Sequence, residues 1–138
     1  MATITYTVTV ASGTNQYGTG NKFYINGSVS PALNLIEGNT YIFDQSDSSN
    51  ASGGGHILAF STSANNSPAA SYTTGVTTTG TPGSSGANTT IVVATYAPTL
   101  YYYCVNHSGM GNVAYTLAAG SIATTANFEA SFTIDEVI

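Results

Sequence analysis

The sequence predicts a single all-β domain, an antiparallel sandwich or barrel, on three observations. The chain has 138 residues, of which 42% are apolar and 11% aromatic, enough to bury a core that opposes chain entropy. Residues 3–10 alternate Thr with Ile, Tyr or Val, which is the period of a strand with one buried face. Turn-forming residues separate the later apolar runs, and no segment shows helical periodicity over a dozen residues.

The further strands follow the first at short intervals. β-Branched and aromatic residues cluster in runs at 22–26, 39–44, 57–61, 89–95, 99–105 and 112–117. Two stretches rich in small polar residues, 45–55 and 62–88, are expected to form loops within the same domain.

A surplus strand is predicted near the C-terminus. Phe128, Ala130, Phe132 and Ile134 alternate with polar or acidic residues, which again indicates one apolar face. An exposed strand of this kind favours aggregation. We therefore expect it to cover the chain's own sheet or to pair with another subunit.

The charge of the chain excludes several functional classes. The net charge is −5, and Lys22 is the only basic residue among Lys and Arg. With so little positive charge to neutralise phosphates, we expect no nucleic-acid partner and no binding to an anionic membrane. The acidic residues are dispersed and no nucleophile motif of the Gly-x-Ser-x-Gly type is present, so we expect no enzymatic activity.

The termini and the cysteine content bear on the compartment. The N-terminal segment MATITYTVTV lacks the basic start and the apolar core of a secretory signal, so export by that route is not expected. A single Cys allows no internal disulfide, and the thiol needs another explanation.

The soft metal ligands of the chain are concentrated in one segment. Cys104, His107 and Met110 lie within seven residues after a predicted strand, and the second histidine is His56. One thiolate and two imidazoles in a plane, with a distant thioether on the axis, are the ligands of a mononuclear blue-copper site. Zinc is the competing metal, although structural zinc sites usually have more thiolates and no Met. We expect copper.

These ligands resemble those of the cupredoxins. The Cys-x-x-His-x-x-Met spacing is similar to the short ligand loop of amicyanin-type members, and GNTYIFDQSD followed by GHILAFS looks like the strand pair that carries the first His in plastocyanin-like members. The resemblance implies a Greek-key β-sandwich over 1–118, with 119–138 as an extension. It also implies one Cu(I)/Cu(II) ion held by His56, Cys104, His107 and Met110. One departure is Ile57, where many cupredoxins carry an Asn that braces the ligand loop.

The Thr- and Gly-rich pattern of the sequence also resembles that of cupredoxin-like modules in structural proteins of marine tailed phages, particularly those of cyanobacteria. The segments that carry this likeness are GNTYIFDQSDSSN, YTTGVTTTGTPG and LYYYCVNHSGMG. The resemblance implies a surface or decoration component of a virion, made in the host cytoplasm, whose partners are other virion proteins or copies of itself. The alternative is a soluble one-electron carrier with a redox partner protein.

Overall fold

The computed structural model describes residues 1–64 and 70–120, which form two β-sheets packed as a sandwich. This confirms the predicted all-β sandwich. The strands are β1 (Thr3–Asn15), β2 (Gly18–Ile25), β3 (Ser28–Val29), β4 (Leu33–Ile36), β5 (Thr40–Asp44), β6 (Leu58–Ser61), β7 (Ser71–Tyr72), β8 (Val76–Thr79), β9 (Asn88–Val92), β10 (Leu100–Cys104) and β11 (Asn112–Leu117).

The two sheets have different strand orders. The six-stranded sheet runs β3-β2-β1-β5-β9-β8, and the five-stranded sheet runs β4-β11-β10-β6-β7. Most neighbours are antiparallel, as predicted, but β1 pairs with β5 and β4 pairs with β11 in parallel. The sheets are therefore mixed, because strands far apart in the chain meet side by side where no hairpin dictates an antiparallel partner.

Strand β1 joins the two halves of its sheet. Residues 3–7 pair with β5, and residues 8–15 pair with β2 in an antiparallel hairpin. The predicted strand 3–10 is thus extended to Asn15 by the hairpin. The alternation seen in the sequence buries Val8 and Val10, while the intervening Thr residues lie on the other face.

Side chains from both sheets form one hydrophobic core. The largest fully buried members include Phe23 and Phe43 from the first sheet and Phe60 and Tyr102 from the second. The rings of Phe43 and Phe60 meet edge to face across the sandwich at 5.5 Å between centroids. Edge-to-face contact is a favoured geometry for aromatic pairs, so this contact helps to fix how the sheets face each other.

The polar stretch 45–55 is more ordered than a plain loop. It contains a kinked 3-10 segment, Ser48–Gly54, whose first turn is capped by the Asp47 carboxylate accepting the Ser49 backbone N–H. Within 62–88 the chain forms β7 and β8, which the sequence did not predict. The surplus strand at 128–134 lies outside the described residues. No helix in the described part is long and apolar enough to cross a membrane.

Candidate metal centre

The strand register brings His56 to Cys104. Cys104 is the last residue of β10, and it lies opposite Leu58 at the start of β6. His56 precedes Leu58 by two residues, so it emerges at the same end of the sheet as the thiol. His107 follows Cys104 by three residues, in the turn that leaves β10. The fold thus joins a remote histidine to a local Cys-x-x-His pair.

The ligand atoms of these three residues face one another. The Nδ1 atom of His56 lies 3.5 Å from the Cys104 Sγ, and the Nδ1 atom of His107 lies 3.6 Å from the same sulfur. The two imidazole rings are 4.5 Å apart between centroids. His56 and Cys104 are both 0% exposed, whereas His107 is only partly buried. The cluster is therefore closed on the core side and reaches the surface at His107.

The spacing of the cluster fits one small metal ion. An ion about 2.3 Å from a thiolate and about 2.0 Å from an imidazole nitrogen holds sulfur and nitrogen roughly 3.6 Å apart at a tetrahedral angle. Both sulfur–nitrogen distances match this separation, and one ligand atom from each residue lies within 4.8 Å of the others. His56, Cys104 and His107 could therefore bind a metal ion together. Copper and zinc both suit this donor set.

Burial favours the uncharged forms of His56 and Cys104. Desolvation lowers the pKa of His56, and the neighbouring His107 lowers it further, so the His56 ring is uncharged at neutral pH. Desolvation also raises the pKa of Cys104, while backbone hydrogen bonds from Asn106, His107 and Ile57 act in the opposite direction. A metal ion that binds here replaces the thiol proton, since the thiolate is the ligand.

A buried side-chain amide holds the backbone on both sides of His56. The Gln45 Nε2 donates to the His56 carbonyl at 2.6 Å, and the Gln45 Oε1 accepts the Leu58 N–H at 3.0 Å. The same Nε2 donates to the Asn50 Oδ1 at 2.9 Å, and the Asn50 carbonyl accepts the His56 N–H at 2.8 Å. Gln45 and Asn50 are both buried, so this network is shielded from water and positions His56 from two directions.

The two ligand-bearing segments are also tied to each other. The Asn106 Nδ2 donates to the Gly55 carbonyl at 3.0 Å, and the Val105 N–H donates to the Ile57 carbonyl at 3.0 Å. Ile57, directly after His56, has no side-chain hydrogen-bonding group that could make such a tie. Here Asn106, between the Cys and the second His, makes the connection from the opposite side.

Met110, three residues after His107 in the chain, lies in the hydrophobic core. Its side chain is 1% exposed and belongs to the same hydrophobic core as Cys104. Its carbonyl accepts the Phe23 N–H at 3.0 Å and the Ser30 hydroxyl at 2.9 Å. The end of the ligand segment is thereby attached to the other sheet. The role of Met110 as an axial ligand stays a prediction.

Glycine and the single lysine complete this attachment. A Cβ on Gly111 would lie 1.8 Å from the Tyr102 carbonyl oxygen, so only glycine lets the chain approach β10 this closely. Lys22, 3% exposed, donates from Nζ to the Gly109 carbonyl at 2.7 Å, and the Asn15 side chain donates to the same oxygen at 2.9 Å. Burial lowers the pKa of Lys22. The buried ammonium group of Lys22 therefore stabilises the backbone of the turn between His107 and Met110.

Sequence reasoning identified the three clustered ligands but missed the residues that position them. Gln45 and Asn50 fall in a stretch that reads as a polar loop, and nearly half of the chain consists of Ser, Thr, Asn and Gly. Nothing in their local pattern distinguishes them from neighbours that face water. Asn106 carried the one usable signal, because it lies between two candidate ligands.

No model of a known protein family matches this chain, and no curated protein matches it.

The Gln45 network generates a stability prediction. Replacing Gln45 by Met keeps the volume but leaves the Asn50 Oδ1, the His56 carbonyl and the Leu58 N–H without this partner. Each buried group that loses its partner costs about 1–3 kcal/mol, so we expect Gln45→Met to lower the free energy of unfolding by about 3 kcal/mol or more. Urea unfolding, followed by circular dichroism, measures the free energy of unfolding of the variant and of the wild type.

Gln16→Met is the matched control. Gln16 is exposed and hydrogen-bonds Asn112 at the surface, so its replacement should change the free energy of unfolding by no more than about 0.5 kcal/mol. Equal losses in the two variants would contradict the special role of Gln45.

Proposed function

We propose that this chain is a copper-binding, cupredoxin-like module with a mononuclear type 1 site. The observation that carries the proposal is the approach of two imidazole Nδ1 atoms to one buried sulfur, at 3.5 and 3.6 Å. Two nitrogens and one sulfur around a single point are the equatorial donors of a blue-copper centre. His56, Cys104 and His107 would hold the ion, with Met110 as the axial partner.

Copper is favoured over zinc by the rest of the donor set. Structural zinc sites complete a tetrahedron with four strong ligands, often several of them thiolates. This chain has a single Cys and only two His, and both His are already in the cluster. The other soft group of the ligand segment is the thioether of Met110, which belongs to the same hydrophobic core as Cys104. A weak fourth donor of this kind suits copper.

The residues around the cluster suit a centre that changes its charge without rearranging. When bound, copper would supply a one-electron couple. The buried Gln45 amide holds His56, and the side chain of Asn106 ties the two ligand segments together. The ligands are therefore held by the fold, and their positions do not depend on the ion.

Addition of Cu(II) tests the metal assignment. We expect one equivalent of Cu(II), added to the metal-free protein, to produce an intense visible absorption from charge transfer between the Cys104 thiolate and copper. Cys104→Ser should abolish the band, because it removes the sulfur. Absorption spectroscopy during the titration makes the measurement, and a wild-type protein that stays colourless would refute a type 1 site.

Substitution of Met110 tests the axial position. Met110→Leu should retain copper and its colour while raising the reduction potential, because a weak donor to Cu(II) is lost. His56→Ala should instead admit water to the ion and lose the type 1 spectrum, because an equatorial ligand is gone. Spectra and redox titrations of both variants make the comparison. An equal loss of copper binding in both would mean that Met110 is not a distant axial partner.

For the biological role, we propose that the module is a structural or decoration component on the surface of a tailed-phage virion. The support is the resemblance of its Thr- and Gly-rich segments to phage modules, together with a composition in which only 5% of residues are charged. Its partners would then be other virion proteins or copies of itself, and its role would not be enzymatic. It would reach the particle from the host cytoplasm, where it is made.

A soluble one-electron carrier is the second candidate. The partial exposure of His107 favours it, because a ligand at the surface gives a redox partner protein a short path to the ion. Purified particles distinguish the two roles. We expect mass spectrometry to find the chain in gradient-purified virions and metal analysis to find copper with it. Detection of the chain only in the soluble fraction would reverse the ranking.

A further inference from the structure

The hydroxyl group of Ser52 lies against the outer nitrogen of His56. Its Oγ is 3.3 Å from the His56 Nε2, within hydrogen-bond reach, although a contact between a hydroxyl and an imidazole nitrogen can run in either direction. The direction matters because a neutral imidazole carries its proton on one nitrogen only. If Nε2 carries the proton, the lone pair of Nδ1 faces the Cys104 sulfur. If Nδ1 carries the proton instead, Nδ1 has no lone pair to offer the sulfur.

A second hydrogen bond of Ser52 decides the direction. The Ser52 Oγ donates to the Ser49 carbonyl at 2.8 Å, and a carbonyl oxygen can only accept. A serine hydroxyl has a single proton, which this bond uses. Toward His56 the Ser52 oxygen is therefore an acceptor, and the proton between them belongs to Nε2.

We propose that Ser52 is a positioning residue that holds His56 in its Nε2-protonated tautomer, with Nδ1 free of a proton and directed at Cys104. In this tautomer the His56 Nε2 donates to the Ser52 Oγ, the Ser52 hydroxyl donates to the Ser49 carbonyl, and the His56 Nδ1 can act toward Cys104 only as an acceptor. The inference concerns the metal-free protein, and only its consequence for copper rests on the proposed function.

The geometry of the 3-10 segment makes this arrangement specific. The segment is kinked at Ser52 and Gly53, where the backbone leaves the helical conformation. Gly53 follows with φ +56, and a Cβ built on it would lie 3.7 Å from the His56 Nε2 and 3.9 Å from the His107 Nε2. The kink thus brings this segment over both rings and places the Ser52 hydroxyl where an imidazole N–H can reach it.

The tautomer can be measured directly in the metal-free full chain. Two-bond proton–nitrogen correlation spectra of protein labelled with ¹⁵N-histidine distinguish the two neutral forms, and we expect His56 to show a protonated Nε2 and a bare Nδ1. A His56 protonated on Nδ1, or an equal mixture of the forms, would overturn the proposal. No metal is present, so the result does not depend on whether copper later binds.

Substitutions of serine test the hydroxyl itself. Ser52→Ala should make the His56 Nε2 proton exchange with water about fivefold faster, equivalent to ~1 kcal/mol for one neutral hydrogen bond. Ser52→Thr should restore the wild-type rate, because it keeps the hydroxyl at an extended backbone position (φ −65, ψ 156) that a β-branched residue tolerates. Ser48→Ala, at an exposed serine of the same segment, should change nothing.

The outcomes separate this proposal from the metal site. An unchanged exchange rate in Ser52→Ala, in a protein whose circular dichroism and unfolding match the wild type, would show that the hydroxyl is not the acceptor. Protection lost in Ser52→Ala and restored in Ser52→Thr would support the proposal even if the wild-type protein failed to develop a copper band. That failure would count against the proposed function alone.

Discussion

The buried hydrogen bonds of the Gln45 amide are the constraint on which the geometry of the cluster depends. They fix the carbonyl of His56 and the N–H of Leu58, and through Asn50 they also engage the 3-10 segment. Leu58 in turn pairs with Cys104 across the sheet. One side chain therefore holds the segment that carries the remote histidine, and the backbone pairing of Leu58 places that segment beside the thiol. Gln45 acts together with the Asn106 side chain, which joins the two segments through the Gly55 carbonyl on the other side of His56.

The surroundings of the cluster allow its three donors to lie close together. Desolvation keeps the His56 ring neutral and the Cys104 thiol protonated, so no like charges repel each other in the buried space. The following turn is anchored separately, since the carbonyls of Gly109 and Met110 accept hydrogen bonds from residues of the other sheet. Contacts between the two sheets therefore help to hold the ligand segment in place.

Much of this could be predicted from the sequence, and the remainder could not, for identifiable reasons. The alternation of residues 3–10 is a local signal and led to the correct strand. The spacing of Cys104 and His107 is also local, and the structure places both beside His56 in one cluster that could bind a metal. Strands of two to four residues, such as β3 and β8, are too short to show a period. The parallel pairing of β1 with β5 depends on contacts far apart in the chain. The roles of Gln45 and Ser52 depend on partners that only the folded chain brings together.

The scarcity of basic side chains, with Lys22 as the only Lys or Arg, also determines the sign of the electrostatic field that the molecule has at a distance. The Lys22 ammonium group is enclosed against the Gly109 carbonyl, and every other formally charged side chain of the sequence is acidic. Because the formal net charge is −5, the long-range electrostatic field outside the protein is negative at neutral pH. Such a field concentrates cations near the surface and repels polyanions, and both effects weaken as ionic strength rises. A metal cation in dilute solution is accordingly drawn toward this protein before any ligand touches it.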